Sequence, residues 1–273
     1  MEGVSRDSLK KALARFEERV GSQPQAAGAS EVSEGLYAVA GVLDREPSLR
    51  RALTDPASTP QSRRGLVERL FAGQLGEAPL DALRELAASP WHSASDLRTA
   101  VEELAATAAL TAAEGDGALD DVEDELFRFA RLLEREPELR RALTDQALPD
   151  DRKTSLVRSL LGDRARPATV RLVEVTVLRP RGRALETALE DLSRLAAQRR
   201  QRLVARVRVA RPLDEAQTTR LANALAQVYG RQVQLQLDVD PAVLGGVEVT
   251  VGDEVLDGTV SRRLRDVGRR LAG

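Results

Sequence analysis

The chain has 273 residues with 43 acidic and 41 basic side chains, for a net charge of -2. It carries no cysteine and one histidine, which excludes disulfides, thiolate metal sites, thiol catalysis and a histidine-built zinc centre. A hydrophobic fraction of 42% and a charged fraction of 31% suit a folded chain long enough for two or three domains. No apolar run nears the roughly 20 residues that cross a bilayer, and Met1 to Lys11 lacks the apolar stretch of a signal peptide, so a soluble, non-secreted chain is expected.

In chain order, caps and apolar spacing mark the helices. Leu9, Leu13, Phe16 and Val20 recur at helical intervals and predict a first helix; Val32, Leu36, Val39 and Leu43 predict a second. Pro47 ends that helix and starts a short one, Leu49 to Thr54, because the residue before a proline resists the helical conformation. Thr59 and Pro60 read as N-cap and first-turn proline of a helix that buries Leu66, Val67, Leu70 and Phe71, and a helix from Leu80 to Ala88 follows. The plan then recurs as Ser95 to Ala113, a break at 114–117 (EGDG), Leu119 to Arg135, Leu139 to Thr144, Asp150 to Leu161 and Pro167 to Leu178. The last segment is β-branched and alternating, which fits a strand by propensity. It is read as helix because its counterpart near 80–88 is rich in alanine and leucine.

The recurrence is explicit in the residues. LDREPSLRRALTD (43–55) and LEREPELRRALTD (133–145) share eleven identities in thirteen positions, an offset of 90. The same offset pairs Leu36 with Leu126, Tyr37 with Phe127, Ala40 with Ala130, Leu66 with Leu156, Val67 with Val157, Leu70 with Leu160 and Pro90 with Pro180. Matched positions are mainly apolar, so the repeated feature is the core-facing side of a helical unit.

After Pro180 the pattern changes. Leu185, Ala188, Leu189, Leu192 and Leu195 line one helical face within 184–199, and 203–209 (LVARVRV) alternates as a half-buried strand does. Asp214 and Gln217 form a capping-box pattern, opening a helix through Leu221, Leu225 and Val228 that stops at Gly230. Strands follow at 232–239, with Val233, Leu235, Leu237 and Val239 on one side, and at 247–251; Gly252 and Asp253 turn the chain into a final helix striped by Val260, Leu264, Val267 and Leu271. The expected fold is mainly α, a tandem duplicated helical bundle followed by a small C-terminal α+β domain. Its expected divisions are a helical unit at 1–92, a second at 93–180 and the α+β domain at 181–273.

Chemistry is sparse. No phosphate-loop pattern occurs, and 245–253 (GGVEVTVGD) precedes a strand rather than a helix, so no nucleotide site is implied. His92 lacks an assignable nucleophile or carboxylate partner and reads as a helix-start residue packing between the two copies. Asp120, Asp121, Glu123, Asp124 and Glu125 fit the first-turn preference of a helix for acids better than a cation site. Arg199, Arg200, Arg202, Arg206, Arg208 and Arg211 make an acid-free basic stretch, the basis of an alternative reading as an RNA-binding module; single-strand readers stack bases on sheet aromatics, and these strands have none. A basic surface meeting an acidic protein partner fits the stretch better.

The segment VDPAVLGGVEVTVGDEVLDGTVSRRL (239–264) closely resembles the C-terminal signature of the delta subunit of F-type ATP synthases, the family of the mitochondrial oligomycin-sensitivity-conferring protein. Asp240, Pro241, Gly245, Gly246, Gly252, Asp253, Asp257 and Gly258 fall on its DP, GG, GD and DG pairs. VARVRVARPLDEAQ (204–217) is similar to the family's strand and helix-start pattern, and EREPELRRALTD (134–145) to its N-terminal helical region. The glycines also suit turns between strands, which makes these structural marks rather than reacting groups. Residues 1–90 depart from the pattern, since ordinary members carry one helical unit.

The resemblance implies a non-catalytic stator in the peripheral stalk, at the cytoplasmic face of the cell membrane, with no cofactor, no bound metal, no nucleic acid and no inserted segment. It implies that the helical region binds the alpha subunits of the catalytic head and the C-terminal domain binds subunit b. The contact residues are not legible in the sequence.

Overall fold

The computed structural model describes residues 1, 3–21, 27–180, 182–200, 203–229, 233–240, 243, 247–251 and 254–257. Two compact units divide the chain. Met1–Val20 and Pro24–Ala197 belong to the first, and Gln198–Gly273 to the second.

The first unit is all helical. Its helices are α1 (Val4–Gly21), α2 (Ala27–Arg45), α3 (Pro47–Thr54), α4 (Pro60–Phe71), α5 (Glu77–Ala88), α6 (Ala94–Gly115), α7 (Leu119–Arg135), α8 (Pro137–Thr144), α9 (Asp150–Leu161), α10 (Pro167–Leu178) and α11 (Leu185–Arg200). The bounds of α3, and the last residues of α2, α4 and α5, recur 90 residues later in α8, α7, α9 and α10. Identical local chemistry produces the identical turns: Ala57 N–H donates to Asp55 Oδ1 at 2.9 Å, and Ala147 N–H to Asp145 Oδ1 at 2.8 Å. Thr59 caps α4 as expected, its hydroxyl accepting from Ser62 N–H at 3.1 Å. The β-branched 167–178 segment is the helix α10, opened by Pro167. Packing on both flanks overrides strand propensity there, with Leu172, Val173 and Val177 buried.

One continuous apolar core runs from Leu9 to Ala196 and passes through residue 92 without a break. Helix α6 explains this: Leu97, Ala100, Val101, Leu104, Ala105, Ala108 and Leu110 are buried around its whole circumference. Helix α2 lies along it, contributing Ala29, Val32, Leu36, Val39, Ala40 and Leu43. The core also passes through residue 180, because Leu185, Leu189 and Ala196 of α11 join it. Buried serines of α1 fasten the chain on both sides of residue 92: Ser5 Oγ donates to Asp96 at 2.7 Å, and Ser8 Oγ donates to the Pro90 carbonyl at 2.7 Å. Leu70, expected in the core, is 41% exposed. Val67 and Phe71 take the inner face of α4 instead, and Leu70 lies on the flank between them.

The second unit holds β1 (Leu203–Val209), α12 (Glu215–Tyr229), β2 (Val233–Val239), β3 (Val247–Val251) and β4 (Glu254–Asp257). The mixed sheet has the order β2-β1-β3-β4, with β1 parallel to β2 and antiparallel to β3. The parallel pair needs a crossover, which α12 provides. Its capping box forms as expected: Gln217 N–H donates to Asp214 Oδ1 at 2.7 Å and Asp214 N–H to Gln217 Oε1 at 3.0 Å. Ala205, Val207, Val209, Leu225, Val233 and Val249 form the core. Three expected apolar positions are exposed, Val228 at 71%, Leu237 at 38% and Val239 at 46%. Val228 lies near the end of α12, and the other two lie on β2, the edge strand of the described sheet, beside the buried Val207 and Val209 of β1. Strand β4 was not anticipated; it pairs with β3 from Val251↔Glu254 to Glu248↔Asp257. The expected turn at Gly252 and Asp253 and the expected final helix through Val260 and Leu271 lie outside the described residues.

Gly35 faces α5 at a place where an added Cβ would stand 2.5 Å from Cβ of Pro79, a rigid neighbour. Gly35→Ala is therefore expected to cost about 1–2 kcal/mol despite the better helix propensity of alanine, lowering the thermal midpoint by several degrees in calorimetry.

Candidate partner-binding surface

The residues marked by sequence can be placed in part. Asp240 leaves β2 with its N–H on the Val209 carbonyl at 2.9 Å, and its carboxylate accepts from Arg208. Asp257 ends β4 opposite Glu248. Pro241, Gly245, Gly246, Gly252, Asp253 and Gly258 lie outside the described residues. Among the described motif positions the observed partners are a strand carbonyl and a guanidinium for Asp240 and a β-ladder for Asp257.

The basic stretch is broken up by the fold. Arg199 is 5% exposed, and Arg208 bonds both Asp240 and Glu248, the latter at 3.0 Å. Bonding to Asp240 foremost, with Glu248 beside it, raises the pKa of Arg208. Two of the six arginines are thus buried or bridged by acids, which reduces their use for phosphate.

Two acids of the run at 120–125 are likewise engaged within the helical unit. Glu125 accepts from Arg166 N–H at 2.9 Å and from Thr169 Oγ1 at 2.6 Å, and Asp121 accepts from Arg166 Nε at 2.8 Å, tying α7 to the start of α10. Among the described residues no group of three or more potential ligands is placed to hold a metal ion. His92 is exposed; its backbone N–H donates to Ser5 Oγ at 2.9 Å, and it is Trp91 beside it that packs, donating Nε1–H to the Leu86 carbonyl at 2.7 Å.

A polar network that no sequence motif marks joins α2 to α6 and to the end of α10. Asp44 accepts from Arg98 of α6 at 3.1 Å and pairs with Arg179, just beyond α10, at 3.2 Å. Arg179 also donates to the Tyr37 carbonyl at 3.2 Å. Burial pulls the pKa of Arg179 down and Asp44 opposes the shift, so the guanidinium stays charged in its half-buried seat. Arg171 pairs with Glu34 at 2.8 Å, stands 5.5 Å from the Tyr37 ring centre and continues to buried Glu174, which accepts from Arg158 at 2.6 Å. Gly41 leaves room for this: an added Cβ would meet Arg179 Nη2 at 2.7 Å. Pairing of distant residues gives no local signal; the repeat offset, which sets Gly41 against Arg131, is the sequence feature that bears on it.

Asp44→Asn is expected to cost about 1–2 kcal/mol in urea denaturation, because two guanidiniums lose their shared carboxylate, whereas Asp124→Asn on exposed α7 should stay within about 0.5 kcal/mol.

These surfaces can be set beside known proteins. The family model described as ATP synthase delta (OSCP) subunit matches residues 101–271. The chain is similar to "ATP synthase subunit delta" of Streptomyces griseus, 50% identical over 273 residues and covering 100% of both chains. It is 45% identical to the protein of that name from Acidothermus cellulolyticus and 41% identical to that of Thermobifida fusca, again covering 100% of both chains. These full-length matches extend through the first hundred residues, which the family model does not reach. No helix among the described residues is long and apolar enough to cross a membrane.

Proposed function

The chain belongs to the ATP synthase delta (OSCP) subunit family, and from that membership we propose that it clamps the catalytic head of the enzyme to its stalk, the helical unit gripping the alpha subunits and the sheet unit gripping subunit b. It is a non-catalytic subunit of the peripheral stalk of ATP synthase. The observation that carries this reading is 50% identity over the whole chain to a delta subunit, with the family match running from within α6 through α11 and the described sheet.

The work of such a subunit is mechanical. It holds the head still while the rotor turns, so torque drives synthesis instead of rotating the head. Stiffness is what that role demands of the protein, and the helical unit supports it with one uninterrupted core and a charged joint across its repeated halves. The assembly sits at the cytoplasmic face of the membrane without inserting this chain. The two helical halves are a tandem duplication, and the DP, GG, GD and DG residues shape the turns of the sheet unit. Helix-in-groove contacts with a few apolar anchors give the affinity.

A pull-down with purified catalytic head and the soluble part of subunit b tests this, using the whole chain and then 1–197 and 198–273 separately. The cut follows the compact units, since α11 belongs to the helical core. Retention of the head by the first fragment and of b by the second is the expected result. Failure of the whole chain to hold either one overturns the clamp.

A further inference from the structure

The helical unit builds one joint at α2 and half of it again at α7. In the complete version α2 lies along α6, Tyr37 is 3% exposed, and two arginines reach α2 from α10 and the residue after it: Arg171 pairs with Glu34 at 2.8 Å and Arg179 with Asp44 at 3.2 Å. Adding the offset of 90 turns Glu34, Tyr37 and Asp44 into Asp124, Phe127 and Glu134, and the stretch of α6 into that of α11. Helix α11 lies beside α7, with Ser193 Oγ donating to the Glu123 carbonyl at 3.3 Å and Glu190 standing 4.0 Å from Arg131. The counterpart of α10 is not supplied by the described residues of this unit.

The two rings differ in exposure. Phe127 is 46% exposed where Tyr37 is buried, and the side chains of Asp124 and Glu134 are 58% and 41% exposed. Arg131, at the position of Gly41, lies 5.2 Å from the Phe127 ring centre and bonds Glu134 at 2.8 Å, while Asp124 pairs with Arg128. An arginine of the same helix thus covers the ring partly, in the place where α2 receives arginine from another helix. Exposed stacking of this kind is weak and exchangeable.

We propose that the face of α7 formed by Asp124, Phe127 and Glu134 docks a partner's amphipathic helix bearing two arginines eight residues apart, the spacing of Arg171 and Arg179. The chain's own joint specifies the chemistry: an acid at each end of the seat for the two guanidiniums, and an aromatic ring between them for stacking. The inference does not rest on the assignment to alpha or b, because it names the partner by its residues.

The test uses the full chain and a fluorescent peptide of residues 167–180, held helical by a lactam staple on its outward side, with anisotropy as readout. Saturable binding that weakens with salt is expected, reduced about tenfold or more by Phe127→Ala and by Asp124→Lys, and strengthened about threefold by Arg131→Ala. Circular dichroism checks that each variant keeps the helical content of the parent. The same peptide with both arginines changed to alanine should not bind. Absence of saturable binding by the stapled peptide overturns the proposal. So does binding indifferent to Phe127→Ala, which would place the peptide elsewhere, such as on α2 in exchange for α10.

Discussion

Helices α2 and α6 meet through small residues, with Ala29 and Ala40 on one side and Ala100, Ala105 and Ala108 on the other all free of solvent. Close approach of two backbones brings many atoms into contact at small individual gain and large total gain, and it fixes the direction of both helices. The rest of the helical unit follows from that seat. With α2 laid along α6, its opposite flank must face α5, and Gly35 is the residue that tolerates Pro79 there. Its charged edge must face α10, which aligns Glu34 and Asp44 with Arg171 and Arg179.

The polar contacts at that joint differ in kind from the surface pairs elsewhere. Arg84 gathers Glu77, Glu68 and Asp81 around itself, and bonding to these acids raises its pKa, yet all three acids stand substantially in water. Screening leaves such clusters little influence on stability. Arg179 and Asp44 are mostly withdrawn from solvent, so losing Asp44 leaves Arg179 and Arg98 without their shared carboxylate at a cost water does not offset. For a subunit under torque, a joint with directional bonds resists sliding in a way that apolar contact alone, which is indifferent to small shifts, does not.

Repetition of sequence did not give repetition of environment. Tyr37 and Phe127 occupy matching positions on matching helices, and one is buried while the other is half in water. The difference lies in the neighbours: α2 runs along α6 and receives Arg171 and Arg179 at its tyrosine, whereas α7 meets α6, α8 and α10 and its phenylalanine is covered by its own Arg131. The exchange of Gly41 for Arg131 accords with it, since glycine admits a guanidinium from outside and arginine brings its own.

Local chemistry was legible in the residues. Proline positions set the starts of α3, α8 and α10, Thr59 and the pair Asp214 and Gln217 set caps, and alternation marked β1, because each of these rests on interactions within a few residues. The glycine and aspartate pairs near 240–258 carried the family resemblance without identifying a contact. Tertiary structure decided what depends on distant segments meeting: the single core that runs through residues 92 and 180, the addition of β4 to the sheet, the exposure of Leu70 and Val228, and the joint of Asp44 with Arg98 and Arg179. Apolar spacing tells which face of a helix turns inward, but the element that meets that face is chosen by packing among all of them at once.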